Sequence, residues 1–353
     1  MPNPEVLDAA DPASLARFDD IIDVRSPGEF AEDHVPGAIN LPVLDNAERA
    51  VVGTTYVQDS AFRARRVGAA LVARNVAQHL ETALADRPAD YKPLVYCWRG
   101  GQRSNAMATI FGQIGWRTFV LGGGYRTYRR RVQARLYNDP LNLDLVLLDG
   151  GTGTGKTEVL NALTRLGVQT LDLEALTEHR GSLFGGRAGE SQPHQKMFES
   201  RLLQALDGLD PARPVVAEAE SHKIGDRMLP PGLWQAMASA PRILLTAPRP
   251  ERAQYLVRAY ADIVADPEAL KAIIARLPVH IGRKQLEGLY EQAESGAFAA
   301  LAEALMELHY DPAYDRSTRK EGRASLARID LERLDTNAIE QAASTILALL
   351  KRP

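Results

Sequence analysis

The chain has 353 residues, a formal net charge of −3, 45% hydrophobic and 25% charged residues, and a single cysteine. This length implies two domains, each with its own core, and the composition is that of a globular protein. A lone cysteine excludes an internal disulfide framework, and the near-neutral charge excludes a uniformly basic, nucleic-acid-coating chain. The first 15 residues lack a basic segment followed by an apolar one, and no apolar run approaches membrane-spanning length, so a cytoplasmic protein with no membrane partner is expected.

Residues 21–24 read as a short buried strand, and Arg25, Ser26, Pro27 and Gly28 turn it into a helix that starts near Glu29. A turn and a second strand follow over 34–41, and 45–89 is expected to be mostly helical, with Gly68, Leu71, Val72 and Val76 facing inward. The strand over 94–96 delivers Cys97 into the run CWRGGQRS: Cys97, Trp98, Arg99, Gly100, Gly101, Gln102, Arg103 and Ser104. Backbone N–H groups, a helix N-terminus capped by Ser104, and the cations Arg99 and Arg103 would all favour thiolate over thiol. A purely structural cysteine needs no such loop, so Cys97 is the expected nucleophile, with Asp23 and Arg25 bracing the loop.

A strand over 119–121 ends in Gly122, Gly123 and Gly124, after which Arg126, Arg129, Arg130, Arg131 and Arg135 alternate with Tyr125, Tyr128 and Tyr137. Basic and aromatic residues together suit single-stranded RNA, although charge alone fits a solvated helix face equally well. A second basic group comprises Arg316, Arg319, Lys320 and Arg323. Asn138, Asp139 and Pro140 break the pattern and mark a linker over 138–144.

Beyond the linker, an apolar strand over 145–148 and Asp149 lead into Gly150, Gly151, Thr152, Gly153, Thr154, Gly155, Lys156 and Thr157, then an apolar helical pattern. This is the phosphate-loop pattern G-x-x-x-x-G-K-S/T in its strand, loop, helix context. The glycines let successive N–H groups face a phosphate, Lys156 reaches the terminal phosphate, and Thr157 can ligate magnesium. Further strands are expected over 169–173, 215–217 and 243–246, with helices dominating after Glu251. Asp172, Glu218 and Glu220, at or near strand ends, are the candidate magnesium or substrate carboxylates, with Glu174 a weaker one. His179, Arg180 and Arg187 sit in a glycine-rich segment that reads as a flexible lid. The histidines show no paired ligand spacing, so no dedicated metal site is expected. The absence of an NKxD-type guanine reader weighs against a GTPase.

Asp23, Val24, Arg25, Glu29 and Phe30, the segment 34–41, Cys97 and its loop, and the turn 122–125 together make the first half resemble the rhodanese family. With the phosphate loop added, the whole chain resembles the tRNA 2-selenouridine synthase family. Segments 45–56 (DNAERAVVGTTY), 172–185 (DLEALTEHRGSLFG) and 218–225 (EAESHKIG), together with Gly68, Tyr310, Asp311, Pro312 and Tyr314, resemble that family's own signatures. The resemblance implies an α/β fold with a rhodanese-like parallel-sheet domain over 1–137. A P-loop NTPase-like α/β domain with a helical C-terminal part then occupies 145–353.

It also implies a transferase acting on tRNA whose wobble base is 2-thiouridine. The sulfur is first S-geranylated from geranyl diphosphate, then replaced by selenium from selenophosphate, which Cys97 carries or helps deliver. Lys156 and the loop amides would hold the diphosphate. No cofactor is tightly bound in this picture, magnesium accompanies the substrates, and a selenophosphate-producing enzyme is a natural partner. Two alternatives stay open on sequence grounds. One is a sulfurtransferase fused to an ATP-dependent small-molecule kinase, and the other is a phosphate-sensing regulatory protein in which Cys97 is dispensable.

Overall fold

A computed structural model describes residues 4–186, 191–277, 281–321 and 325–351. The chain forms two compact units, one made of residues up to Asp139 together with His194–Asp207, the other of Pro140–Pro193 and the chain from Gly208 onward. The expected linker did not anticipate that helix Gln195–Asp207 joins the first unit. Among the described residues no helix is long and apolar enough to cross a membrane.

The first unit is built on five parallel strands: β1 (Glu5–Leu7), β2 (Asp20–Asp23), β3 (Ala38–Asn40), β4 (Pro93–Tyr96) and β5 (Phe119–Leu121), in the order β1-β5-β4-β2-β3. The middle strand β4 is buried throughout, which is why Leu94, Val95 and Tyr96 form an unbroken apolar run rather than an alternating one. Asp23 pairs in register with Tyr96, so the ends of β2 and β4 deliver Arg25 and Cys97 to the same edge of the sheet. Helix Ala61–Glu81 buries Ala64, Gly68, Val72 and Val76, one residue per turn along a single face. Met107 and Phe111 of helix Gln102–Ile114 join the same core.

The second unit carries β6 (Leu145–Asp149), β7 (Gln169–Leu171), β8 (Val215–Glu218), a small antiparallel hairpin of β9 (Lys223–Ile224) and β10 (Arg227–Met228), β11 (Arg242–Thr246) and β12 (Ser325–Asp330). The main sheet is parallel, ordered β12-β11-β6-β8-β7. β6 lies at the centre with β8 and β11 on either side, so the chain leaves its C-terminal end at the point where the strand order reverses, the usual ligand crevice of an open α/β sheet. Helix Lys156–Arg165 packs Val159, Leu160 and Leu163 against the sheet, and helix Thr336–Leu350 adds Ile339, Ala343 and Ile346 to that core. Each fully buried Val, Leu or Ile side chain among them contributes about 1.5–3 kcal/mol. Helices between Arg249 and Leu305 enclose a separate apolar cluster that includes Ile263, Leu270, Leu289 and Leu301, with Phe184 inserted from the preceding segment.

Candidate functional sites

Cys97 directly follows β4 and is 4% exposed. Its Sγ accepts hydrogen bonds from the Gly101 N–H at 3.2 Å and the Ser104 hydroxyl at 3.3 Å. Burial opposes charge on the sulfur, but the Ser104 hydroxyl and the N–H groups of Ser104, Arg99 and Gly101 outweigh it and hold the thiol below its ordinary value. Two expectations are corrected here. The N-cap of helix Gln102–Ile114 is Gly101, and Ser104 sits one turn inside, where its hydroxyl is spent on the sulfur and the Gly101 carbonyl. The Arg103 guanidinium does not face the thiolate, because Glu29 binds it through both oxygens at 2.6 and 3.1 Å. Arg99 is exposed and helps through its backbone N–H.

The loop is held from behind. The Tyr125 N–H donates to the Cys97 carbonyl at 2.8 Å, and Gly124, at φ 61°, packs so closely that an added Cβ would stand 2.2 Å from that oxygen. Only glycine fits there. Asp23 and Arg25 form a buried pair, with Arg25 also donating to the Asp33 carbonyl at 2.6 Å and lying 4.2 Å from the Tyr125 ring centroid. Trp98 packs on the same Tyr125 ring at 5.2 Å.

In the second unit, the loop between β6 and helix Lys156–Arg165 is the phosphate loop. Gly150 passes so near Leu245 that an added Cβ would be 2.7 Å from its carbonyl oxygen. Lys156 Nζ donates to the Gly150 carbonyl at 2.9 Å, and the Thr157 hydroxyl donates to Glu218 at 2.9 Å. Arg252 was not visible from sequence as a site residue. It is buried, donates to the Thr152 carbonyl at 2.8 Å and is paired with Asp311 at 2.6 Å, so it fixes the loop from outside. Tyr255 is likewise bonded to Glu158 on the first turn of the loop's helix.

The carboxylates divide differently from the expectation. Glu174 belongs to the cluster as fully as Glu218: burial, then repulsion from Glu218 and Glu220, raises its carboxyl to about 9. Burial, then Asp172 and Glu220, raises Glu218 to about 8, and burial also raises Glu220, against the pull of Lys156. Asp172 caps helix Leu173–Thr177, accepting from the Ala175 N–H at 2.7 Å, while still lining the cavity above the loop. Glu218 Oε2 is buried without a hydrogen-bond partner. Among the described residues no three acidic, histidine or cysteine side chains form a group able to hold a metal ion.

Above the loop lies a cavity of about 730 Å³. It adjoins a smaller cavity of about 70 Å³ whose lining is almost wholly apolar, and Thr152, Ser182, Leu256, Tyr260 and Tyr310 form walls of both. The segment expected to be a flexible lid is packed where it is described. Phe184 is 7% exposed within the apolar cluster, and Arg180 is paired with Asp262 at 2.9 Å while lying 4.7 Å from the Tyr260 ring centroid. His179 lines the larger cavity, and burial lowers its pKa. Arg187 lies outside the described residues.

The arginine-rich helix Tyr125–Gln133 also departs from expectation. Arg129 is bonded to Glu199 and Arg131 to Asp207 at 2.7 Å, so both fasten helix Gln195–Asp207 to the first unit. Tyr125 and Tyr128 are buried and have no free face for a base. Arg126, Arg130 and Arg135 remain exposed, as does Arg316 of the second basic group. The side chains of Arg319 and Lys320, and all of Arg323, lie outside the described residues.

Two family models match the chain: a rhodanese-like domain over residues 5–131 and the tRNA 2-selenouridine synthase AAA domain over residues 143–344. A tRNA 2-selenouridine synthase of Cupriavidus pinatubonensis is 34% identical over 83% of this chain and 87% of its own. One from Pseudomonas fluorescens is 34% identical over 86% and 89%, and one from Bordetella bronchiseptica 37% identical over 71% and 68%. With the Cys97 loop on one sheet and a phosphate loop on the other, and with relatives aligned across both, the chain belongs to the tRNA 2-selenouridine synthase family.

Proposed function

We propose that the chain replaces the sulfur of wobble 2-thiouridine in tRNA by selenium through an S-geranyl intermediate. Family membership makes it an enzyme of tRNA selenouridine modification. The finer reading rests on one observation: the cavity over the phosphate loop shares Thr152, Ser182, Leu256, Tyr260 and Tyr310 with an adjoining apolar one. An alkyl diphosphate has this polarity along its length, whereas the sulfurtransferase–kinase alternative would need a polar acceptor beside its nucleotide.

In the first step the thiocarbonyl sulfur attacks C1 of geranyl diphosphate, the C1–O bond breaks, and the diphosphate departs with the electron pair. The base sheds its N3 proton. Lys156 and the loop N–H groups stabilise the charge that develops on the diphosphate. Magnesium, when bound, neutralises part of that charge. The Thr157 hydroxyl and the unpaired Glu218 oxygen suit a cation that completes its shell with substrate oxygens and water. In the second step, the selenium of selenophosphate attacks C2 of the base, the C2–S bond breaks, and the geranylthio group leaves with the electron pair and takes up a proton. Water then cleaves the Se–P bond, releasing phosphate and leaving selenium on C2. The Cys97 thiolate serves this delivery in the first unit, and Arg126, Arg130 and Arg135 offer contacts to the tRNA backbone. Purified protein given 2-thiouridine tRNA, geranyl diphosphate and selenophosphate is expected to yield 2-selenouridine, with S-geranyl-2-thiouridine when selenophosphate is withheld. Hydrolysis of ATP with no change in the tRNA would refute the reading.

A further inference from the structure

The smaller cavity of the second unit is defined by its dimensions, and those decide what can enter it. It measures about 70 Å³, and Phe184, Leu270, Phe298, Leu301 and Ala302 belong to it alone, not to the larger cavity. A dry apolar cavity of roughly 150 Å³ takes one benzene ring. This one therefore takes only the few carbons at the end of a chain. An alkyl diphosphate anchored on the phosphate loop would run its first isoprene unit between Tyr260, Leu256 and Tyr310, which line both cavities, and put the branched end of the second against Leu270 and Leu301.

A third unit would have to displace that floor. Ile263, Leu270 and Leu301 are 5%, 3% and 3% exposed and packed in one apolar cluster, so the floor does not give way cheaply. Two residues control the remaining space. Phe298 and Ala302 stand four apart on helix Phe298–Leu305, one turn above the other on the same face, and both line the cavity.

We infer that this cavity measures the chain, with Phe298 and Ala302 setting the length of hydrocarbon transferred and favouring two isoprene units over three. The inference rests on the reading of the phosphate loop as an alkyl-diphosphate site. The test is transfer to 2-thiouridine tRNA from dimethylallyl, geranyl and farnesyl diphosphates by the full-length protein and by the variants Phe298→Ala and Ala302→Phe, each as kcat/KM.

The unmodified protein is expected to favour geranyl over farnesyl by roughly 10- to 200-fold, the discrimination an apolar pocket achieves. Phe298→Ala is expected to narrow that ratio at least tenfold. Ala302→Phe is expected to lower geranyl relative to dimethylallyl transfer at least tenfold. General damage cannot produce these opposite movements of ratio. Geranyl transfer by the unmodified protein, with the variants leaving all ratios unchanged, would overturn the inference alone. Failure of the unmodified protein to transfer any of the three chains would overturn the phosphate-loop reading, and the inference with it.

Discussion

The two loops manage charge in opposite ways. Around Cys97 the protein supplies its own donors to a side chain it already owns: the Ser104 hydroxyl and three backbone N–H groups aim at one sulfur, and the neighbouring Arg103 is tied to Glu29. Around Lys156 the protein gathers more carboxyl groups than one lysine can neutralise, and burial keeps protons on Glu174 and Glu218 near neutral pH. The first site is preorganised for its nucleophile. In the proposed reading, the second is completed by a cation and an anionic head group.

Substitution at Lys156 breaks the comparison most severely. Lys156→Ala is expected to lower geranyl transfer by about 10²–10³-fold, the cost of removing one preorganised donor from a developing anion. Selenium exchange on tRNA supplied already geranylated is expected to persist. Equal loss of both steps would deny the division of labour between the loops.

Stability against pH comes next. Folded Glu174 and Glu218 hold protons up to about 9 and about 8, whereas unfolded carboxyls lose theirs near 4.3, so the folded state binds more protons across that window and stability falls as pH rises through it. Hydrogen exchange at β6 is expected to quicken from pH 5 to 9 beyond its intrinsic rate, and less so in Glu218→Gln. A protection free energy independent of pH would contradict the buried cluster.

At Cys97 the effect is smaller and of opposite sign. Alkylation of Cys97 is expected to show a midpoint below the ordinary thiol value of about 8.5. Ser104→Ala is expected to raise that midpoint by up to about one unit, as loss of one hydrogen bond of about 0.5–1.5 kcal/mol requires. An unmoved midpoint would leave the backbone donors alone responsible.

The smallest effect concerns tRNA. Neutralising Arg126, Arg130 and Arg135 is expected to reduce the salt dependence of tRNA binding by about one unit per lost phosphate contact. Neutralising Arg129 and Arg131 instead is expected to loosen helix Gln195–Asp207, seen as faster proteolysis there, because Glu199 and Asp207 lose their partners.

Both loops were legible in the sequence because their chemistry is local: Cys97 lies within seven residues of its donors, and Gly150 to Thr157 are contiguous. What distant partners decide was not legible. Arg103 reads as a cation beside a cysteine until Glu29, 74 residues away, claims it. Arg252 reads as an ordinary helix residue until the fold brings it to Thr152, 100 residues earlier. Glu174 looked weaker than Glu218 because nothing local reports the burial they share. Strands β1 and β12 were missed because they are edge strands whose apolar residues, Val6 and Leu326 among them, stay exposed instead of forming a buried run.

The central claim is that the Cys97 loop serves selenium delivery after the phosphate loop has prepared the base. Nucleoside mass spectrometry of tRNA from cells carrying Cys97→Ser in place of the unmodified protein tests it most directly. Oxygen replaces a far better nucleophile at nearly the same volume, so 2-selenouridine is expected to vanish while S-geranyl-2-thiouridine accumulates. Unchanged 2-selenouridine in that variant would contradict the account.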